Sequence, residues 1–230
     1  MQLEEISDHY DKASRYYDAL TGFIFQRLLG IEKRYRQRSV SLLGSIDGAH
    51  VLDIGCGTGR NFPYLVSALG EAGSLVGVEP SFGMLAKARD RARRNGWSQV
   101  VLTPGDAARL RGIEPPFDAV ISTWCLGIVY DLQAALERAV AVLRPGGRLV
   151  ILDFQGSRPE RGLLRYLYPV YSRLLQVTGI DTAEDLDHDR LKAKWTRGRA
   201  FLESRLDDYH QEEYLGGLGI LISGTKPYPG

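Results

Sequence analysis

The chain has 230 residues, with 29 Lys+Arg against 28 Asp+Glu, 44% apolar and 25% charged residues; these are globular proportions that exclude disorder, collagen and coiled coil for the whole. A net charge of +1 argues against general attraction to nucleic acid. Two cysteines, Cys56 and Cys125, cannot build a disulfide scaffold. No apolar run nears the ~18 residues of a membrane helix, and the opening MQLEEISDHYDK has no signal-peptide core, so the expectation is a cytoplasmic single-domain protein (1–230) with reduced thiols.

Residues 1–20 are polar and rich in tyrosine. Between Gly22 and Leu43, apolar Phe23, Leu28, Leu29, Ile31 and Tyr35 recur at helical spacing among Arg27, Lys33, Arg34, Arg36 and Arg38. That pattern predicts one or two amphipathic helices, making 1–45 a helical N-terminal cover. Five apolar runs follow: AHVLDIG, SLVGVEP, SQVVLTPGDA, FDAVISTWC and GGRLVILDF. Helix-like stretches end near Leu69 and Arg94, and another spans 131–144. Strands alternating with helices predict βαβ units, hence a doubly wound, Rossmann-like parallel α/β sheet over 49–154. Residues 156–198 read as a mostly helical lid. FLESRLDDY and EEYLGGLGILISGTK, within 199–226, read as two closing strands in an antiparallel hairpin at the sheet edge.

The run VLDIGCGTGR ends the first strand and opens a helix. Asp53, Gly55, Gly57 and Gly59 stand at alternate positions there. Glycines after a buried strand let the backbone turn tightly and approach a ligand closely, and the helix N-terminus behind them offers free N–H groups to an anion. A dinucleotide fingerprint would need its third glycine at position 60, which is Arg60, and the GK[ST] of a P-loop is absent.

D-x-G-x-G-x-G in this position resembles the first motif of the class I S-adenosylmethionine-dependent methyltransferases, a seven-stranded fold, and the later motifs agree in order over about 49–154. The resemblance implies S-adenosyl-L-methionine as cofactor. Asp53, Gly55, Cys56, Gly57 and Gly59 would pass beneath its methionyl part. Glu79, ending the second strand, would take the ribose hydroxyls, and Asp106 with Ala107 the adenine edge. Pro80, Met84, Ser122 and Thr123 complete the implied cofactor set. Cys56, between two glycines, reads as a space-filler rather than a nucleophile; Asp106 also suits a helix cap.

Transfer from a sulfonium needs alignment and exclusion of water more than side-chain chemistry, so the acceptor is harder to read. HYDKASRYYDAL is similar to the opening segment of the ubiquinone/menaquinone methyltransferases and of bacterial phospholipid N-methyltransferases, where it folds over the cofactor. Tyr10 and Tyr17 are therefore candidates to close the site, with His9 or Asp153 as a base. Ring-methylating quinone enzymes carry an Arg-Asn pair after the fourth strand; here Gly127 and Ile128 stand there, and STWCLGIVYD is closer to the phospholipid group. Trp124, Tyr130 and Tyr166 suit either core packing or a cationic amine held on their ring faces.

Residues 157–175 carry an apolar face flanked by arginines, which suits a lid or an anionic membrane surface. The resulting expectation is a methyltransferase for a lipid or small hydrophobic acceptor, an amine as in phospholipid N-methylation. A quinone or natural-product C/O-methyltransferase and a non-catalytic cofactor-binding module are the alternatives. Possible peripheral contact at the inner membrane surface and a monomer or homodimer are further expectations. No metal is expected: the Asp185-x-Asp187-x-Asp189 run has Arg190 and Thr196 where a calcium loop needs glycine and glutamate.

Overall fold

The computed structural model describes residues 31–156, 158, 160–162, 165, 166 and 188–230. The helices among them are α1 (Ile31–Ser41), α2 (Phe62–Leu69), α3 (Phe82–Arg94), α4 (Leu132–Ala141) and α5 (His188–Arg205). The strands are β1 (His50–Ile54), β2 (Ser74–Glu79), β3 (Val100–Pro104), β4 (Phe117–Thr123), β5 (Leu143–Phe154), β6 (Asp207–Tyr214) and β7 (Gly219–Thr225). They form one seven-stranded sheet in the order β3-β2-β1-β4-β5-β7-β6. β1 through β5 pair in parallel, and β7 lies antiparallel between β5 and β6. This is the α/β Rossmann-like sheet and closing hairpin expected from the sequence.

Strand periodicity divides the core in two. On β1, Leu52 and Ile54 face one side while Val51 faces the other; on β5, Leu149 and Ile151 oppose Val150 and Leu152. Both faces are therefore apolar, and both must be covered. α4 and α5 cover the first through Ala135, Leu136, Trp195 and Leu202. The second takes α1, α2 and α3 through Val40, Phe62, Leu65, Leu69 and Leu85. α2 shows the logic in eight residues: Phe62, Leu65 and Leu69 fall on one stripe and are fully buried, each contributing about 1.5–3 kcal/mol of burial.

Two boundaries differ from the sequence expectation. Strand character was expected from Phe201, yet α5 continues to Arg205, because Trp195, Gly198 and Leu202 make a stripe at helical spacing against α4. The residues from 188 onward are thus a core helix rather than part of a lid. The second closing strand was expected from Glu212, but Glu212–Tyr214 end β6, a one-turn 3-10 segment at Leu215–Gly217 reverses the chain, and β7 follows. β6 is polar almost throughout, so it has no alternation to read; its exposed carboxylates blunt the sheet edge against further pairing.

Candidate functional site

The strand order reverses between β1 and β4, and ligands of open α/β sheets sit outside the carboxyl ends at such a switch. A cavity of about 380 Å³ lies there, within the range of small-molecule sites. Its lining comes from the ends of four parallel strands and the segments after them: Gly55–Thr58 at β1, Glu79–Ser81 at β2, Gly105–Arg109 at β3, and Thr123–Cys125 with Ile128–Asp131 at β4. Arg36, Arg60, Met84 and Ala134 complete it.

One half of the cavity is built mainly from backbone. Gly55, Gly57 and Gly59 all have φ between 54° and 76°, where a side chain is strained. The N–H groups of Gly55 and Cys56 both donate to the Val78 carbonyl, at 2.8 and 3.0 Å, which folds the loop against β2. A Cβ on Gly55 would collide with the Cys125 side chain, so this position is closed to any other residue. Glu79 is held from two sides: Oε2 accepts from Gly57 N–H at 3.1 Å and Oε1 from Ser81 N–H at 3.0 Å. Ser81 then caps α3 by accepting from Met84 N–H at 3.1 Å. Asp106 lines the cavity and also accepts from Ala108 N–H at 3.0 Å, but a turn over 107–109 follows it rather than the helix that a cap would serve.

Beneath the loop is a polar cluster that sequence reasoning largely missed. Asp53 is fully buried and does not line the cavity. Both its oxygens accept from Asn61 Nδ2, at 3.0 and 3.1 Å. Burial pushes its carboxyl up to about 7; the Asn61 hydrogen bond and the Arg36 charge oppose that shift, while Glu79 adds to it. Arg36, from α1, donates through Nη1 to Asn61 Oδ1 at 2.6 Å and Thr123 Oγ1 at 2.7 Å, and through Nε to Glu32 at 2.9 Å. Arg60 pairs with the same Glu32 at 2.7 Å. One acidic residue of α1 thus joins an arginine of the cavity wall to an arginine of the glycine loop. No described residue accepts from Nη2 of Arg36, and the guanidinium borders the cavity. The sequence shows Arg36 only as one of several basic residues on an amphipathic helix.

The opposite wall carries the side chains. The Arg36 guanidinium lies 4.7 Å from the Trp124 ring centre, a cation–π pair. Trp124 Nε1 donates to Tyr214 Oη at 2.8 Å, and Tyr214 Oη donates to the Asp153 carbonyl at 3.1 Å. Ile128, Val129 and Tyr130 continue the wall outward, and Tyr130 is exposed.

Among the expected site residues, Gly55, Cys56, Gly57, Glu79, Pro80, Met84, Asp106, Ala107, Thr123, Trp124 and Tyr130 line the cavity. Asp53 and Gly59 support it from behind. Ser122 does not reach it; its hydroxyl donates to the Ile54 carbonyl at 2.9 Å. Tyr166 is exposed and outside the lining. His9, Tyr10 and Tyr17 lie outside the described residues, as does most of 157–175; Arg158, 160–162, Arg165 and Tyr166 are placed there and are exposed. Burial, with the Asp53 and Glu79 charges, pushes the Cys56 thiol up, so it stays protonated and unreactive. Among the described residues, no helix is long and apolar enough to cross a membrane.

Comparison with known proteins agrees with this architecture. The model of the ubiE/COQ5 methyltransferase family matches residues 1–198. The ubiquinone/menaquinone biosynthesis C-methyltransferase UbiE of Saccharophagus degradans is 32% identical over 208 residues, covering 86% of this chain and 83% of that protein. The demethylmenaquinone methyltransferase of Desulfitobacterium hafniense is 25% identical, covering 96% and 90%. Among solved structures, an S-adenosylmethionine-dependent methyltransferase from Aquifex aeolicus superposes with a TM-score of 0.59 at 18% identity, over 83% of this chain and 89% of that one. The [4+2]-cyclase SpnF gives 0.66 at 20% identity, over 100% and 98%. The last match shows that the fold alone does not dictate the reaction.

Proposed function

Because the chain belongs to the ubiE/COQ5 methyltransferase family, with S-adenosylmethionine as its cofactor, we propose that it methylates a ring carbon of a lipophilic, hydroquinone-type acceptor. The family match and the C-methyltransferase relatives favour this over the phospholipid-type amine expected from the STWCLGIVYD stretch. The observation that carries it is the Arg36 guanidinium on the Trp124 face. That face is already taken by the protein's own cation, and a cationic amine arriving beside it would be repelled. An electron-rich neutral or anionic ring meets no such penalty.

The residues present fit the cofactor. The glycine loop allows close backbone approach, Glu79 offers a carboxylate to the ribose hydroxyls, and Asp106 with Ala107 borders the adenine. Arg36 Nη2, with no acceptor among the described residues, suits the cofactor's carboxylate. When bound, the sulfonium supplies a methyl group already activated toward an electron-rich carbon. The ring carbon that gains the methyl would give up its hydrogen as a proton to solvent after the transfer, so the protein has chiefly to orient the ring and to exclude water from the transfer itself. Trp124 is fixed by Tyr214 and Arg36, and Ile128 and Val129 make the outer wall apolar.

The test is to incubate purified protein with labelled cofactor, reduced 1,4-dihydroxynaphthalene and a total lipid extract. A ring-carbon methyl, located by NMR, is the expected product. Label confined to O-methyl ethers or to phospholipid headgroups would overturn the proposal.

A further inference from the structure

The outer wall of the cavity is held by more than the local bonds of its own turn, Ile128 N–H to the Cys125 carbonyl and Val129 N–H to the Leu126 carbonyl. Between β4 and α4 the chain makes one 3-10 turn, Leu126–Ile128, entered through Trp124 at φ 51°. Trp124 is not a glycine, and this backbone region is costly for it, so something must hold the segment.

The Gly127 peptide is gripped from both ends. Its N–H donates to Asp153 Oδ2 at 2.9 Å, and its carbonyl accepts from Lys194 Nζ at 2.9 Å. Lys194 also donates to the Val129 carbonyl. Asp153 stands 26 residues away, near the carboxyl end of β5, and its other oxygen accepts from Phe154 N–H at 2.7 Å. Lys194 stands 67 residues from Gly127, on α5. That helix cannot drift, because its next residue, Trp195, is fully buried. Glycine at 127 eases this closure: a Cβ there would lie 3.1 Å from Asp153 Oδ1 and 3.3 Å from the Phe154 carbonyl, so either would have to give by a few tenths of an ångström. The bare backbone at 127 thus lets the Asp153 carboxylate that orders the turn come close.

We propose that Lys194, acting with Asp153, is the positioning residue for the acceptor wall: by holding the Gly127 and Val129 carbonyls it keeps Ile128, Val129 and Tyr130 in one alignment opposite the cofactor. The proposal rests on reading that wall as the acceptor side. Lys194 does not line the cavity; it acts through the backbone, so it should govern acceptor recognition and leave cofactor affinity alone.

The experiment compares the unmodified protein with Lys194→Met and Lys194→Arg. Amide hydrogen exchange over 124–130 should quicken at least tenfold in Lys194→Met, with the 55–59 loop unchanged. The KM for reduced 1,4-dihydroxynaphthalene should rise roughly tenfold, the scale of a lost charge-assisted hydrogen bond. The cofactor Kd from calorimetry should stay within twofold, and Lys194→Arg should recover most of the KM. Should Lys194→Met fail to fold, Lys194→Gln replaces it. Unchanged exchange at 124–130 overturns the proposal, as does a parallel rise in cofactor Kd or a KM that stays put while exchange quickens. If the unmodified protein does not methylate the dihydroxynaphthalene, the hydroquinone reading falls, and the exchange data still decide whether Lys194 holds the wall.

Discussion

The two walls of the cavity are assembled in different ways. The glycine-loop wall is local: Gly57 finds Glu79 across 22 residues, and Asp53 finds Asn61 across eight. The opposite wall is assembled from afar: Arg36 reaches Thr123 across 87 residues, Trp124 reaches Tyr214 across 90, and Lys194 reaches Gly127 across 67. A cofactor common to many enzymes can be met by a compact motif of backbone turns. On the proposed reading, recognition of one particular acceptor is left instead to side chains that only the folded chain brings together.

Four measurements would break or sharpen that contrast. The largest effect is expected at Arg36, which belongs to both walls. Arg36→Met should weaken cofactor binding about a hundredfold by calorimetry, the upper range for a charged hydrogen-bonding partner. Arg36→Lys, keeping the charge, should recover part of it; equal affinity in all three forms would confine Arg36 to the acceptor side. Glu79→Gln should cost roughly tenfold in cofactor Kd, because an amide oxygen replaces one charged acceptor. Unchanged binding would remove Glu79 from the ribose contact. Trp124→Phe keeps a ring and loses the Tyr214 hydrogen bond, so acceptor KM should rise about fivefold with cofactor Kd unmoved; movement in both would erase the distinction between the walls.

The last measurement reads stability rather than affinity and is a pH dependence. Asp53 is held near 7 in the folded chain, above the usual 3.8, so the folded state binds its proton more tightly than the unfolded state does. Its protonated form therefore favours folding at low pH, and that contribution is lost as pH rises from about 4 to about 7. Asp153, raised by burial to about 6, acts in the same direction. Asp53→Asn should accordingly make the thermal midpoint fall less over that range than in the unmodified protein. Identical profiles would place the proton elsewhere.

What was legible in the sequence follows the same divide. Strand period and glycine spacing predict the parallel sheet and the β1 loop, because both are written in contiguous residues. Glu79 and Asp106 could be located because each stands at a strand end that the pattern itself marks. Arg36 could not, since a cation on an amphipathic helix looks the same whether it faces water or crosses to another strand. Lys194 was hidden likewise, in a charge-dense stretch read as lid. The end of α5 was misplaced for a related reason: FLESR has no pattern decisive between helix and strand, and Leu202 packing on α4 settles it. Gly127 was visible, but its cause, the carboxylate of Asp153, lies 26 residues further on.

The placing of Glu79 has a kinetic consequence. Its carboxylate is tied through Gly57 to the loop it faces. On the proposed reading, Glu79, the glycine turn and Arg36 would hold the ribose, the methionyl part and the carboxylate of the cofactor, all portions that the reaction leaves unaltered. The spent thioether thus keeps every handle its precursor had, losing only the methyl and the sulfonium charge. Turnover should then be governed by how fast that spent molecule escapes, and the enzyme's output would answer to whatever clears it from solution.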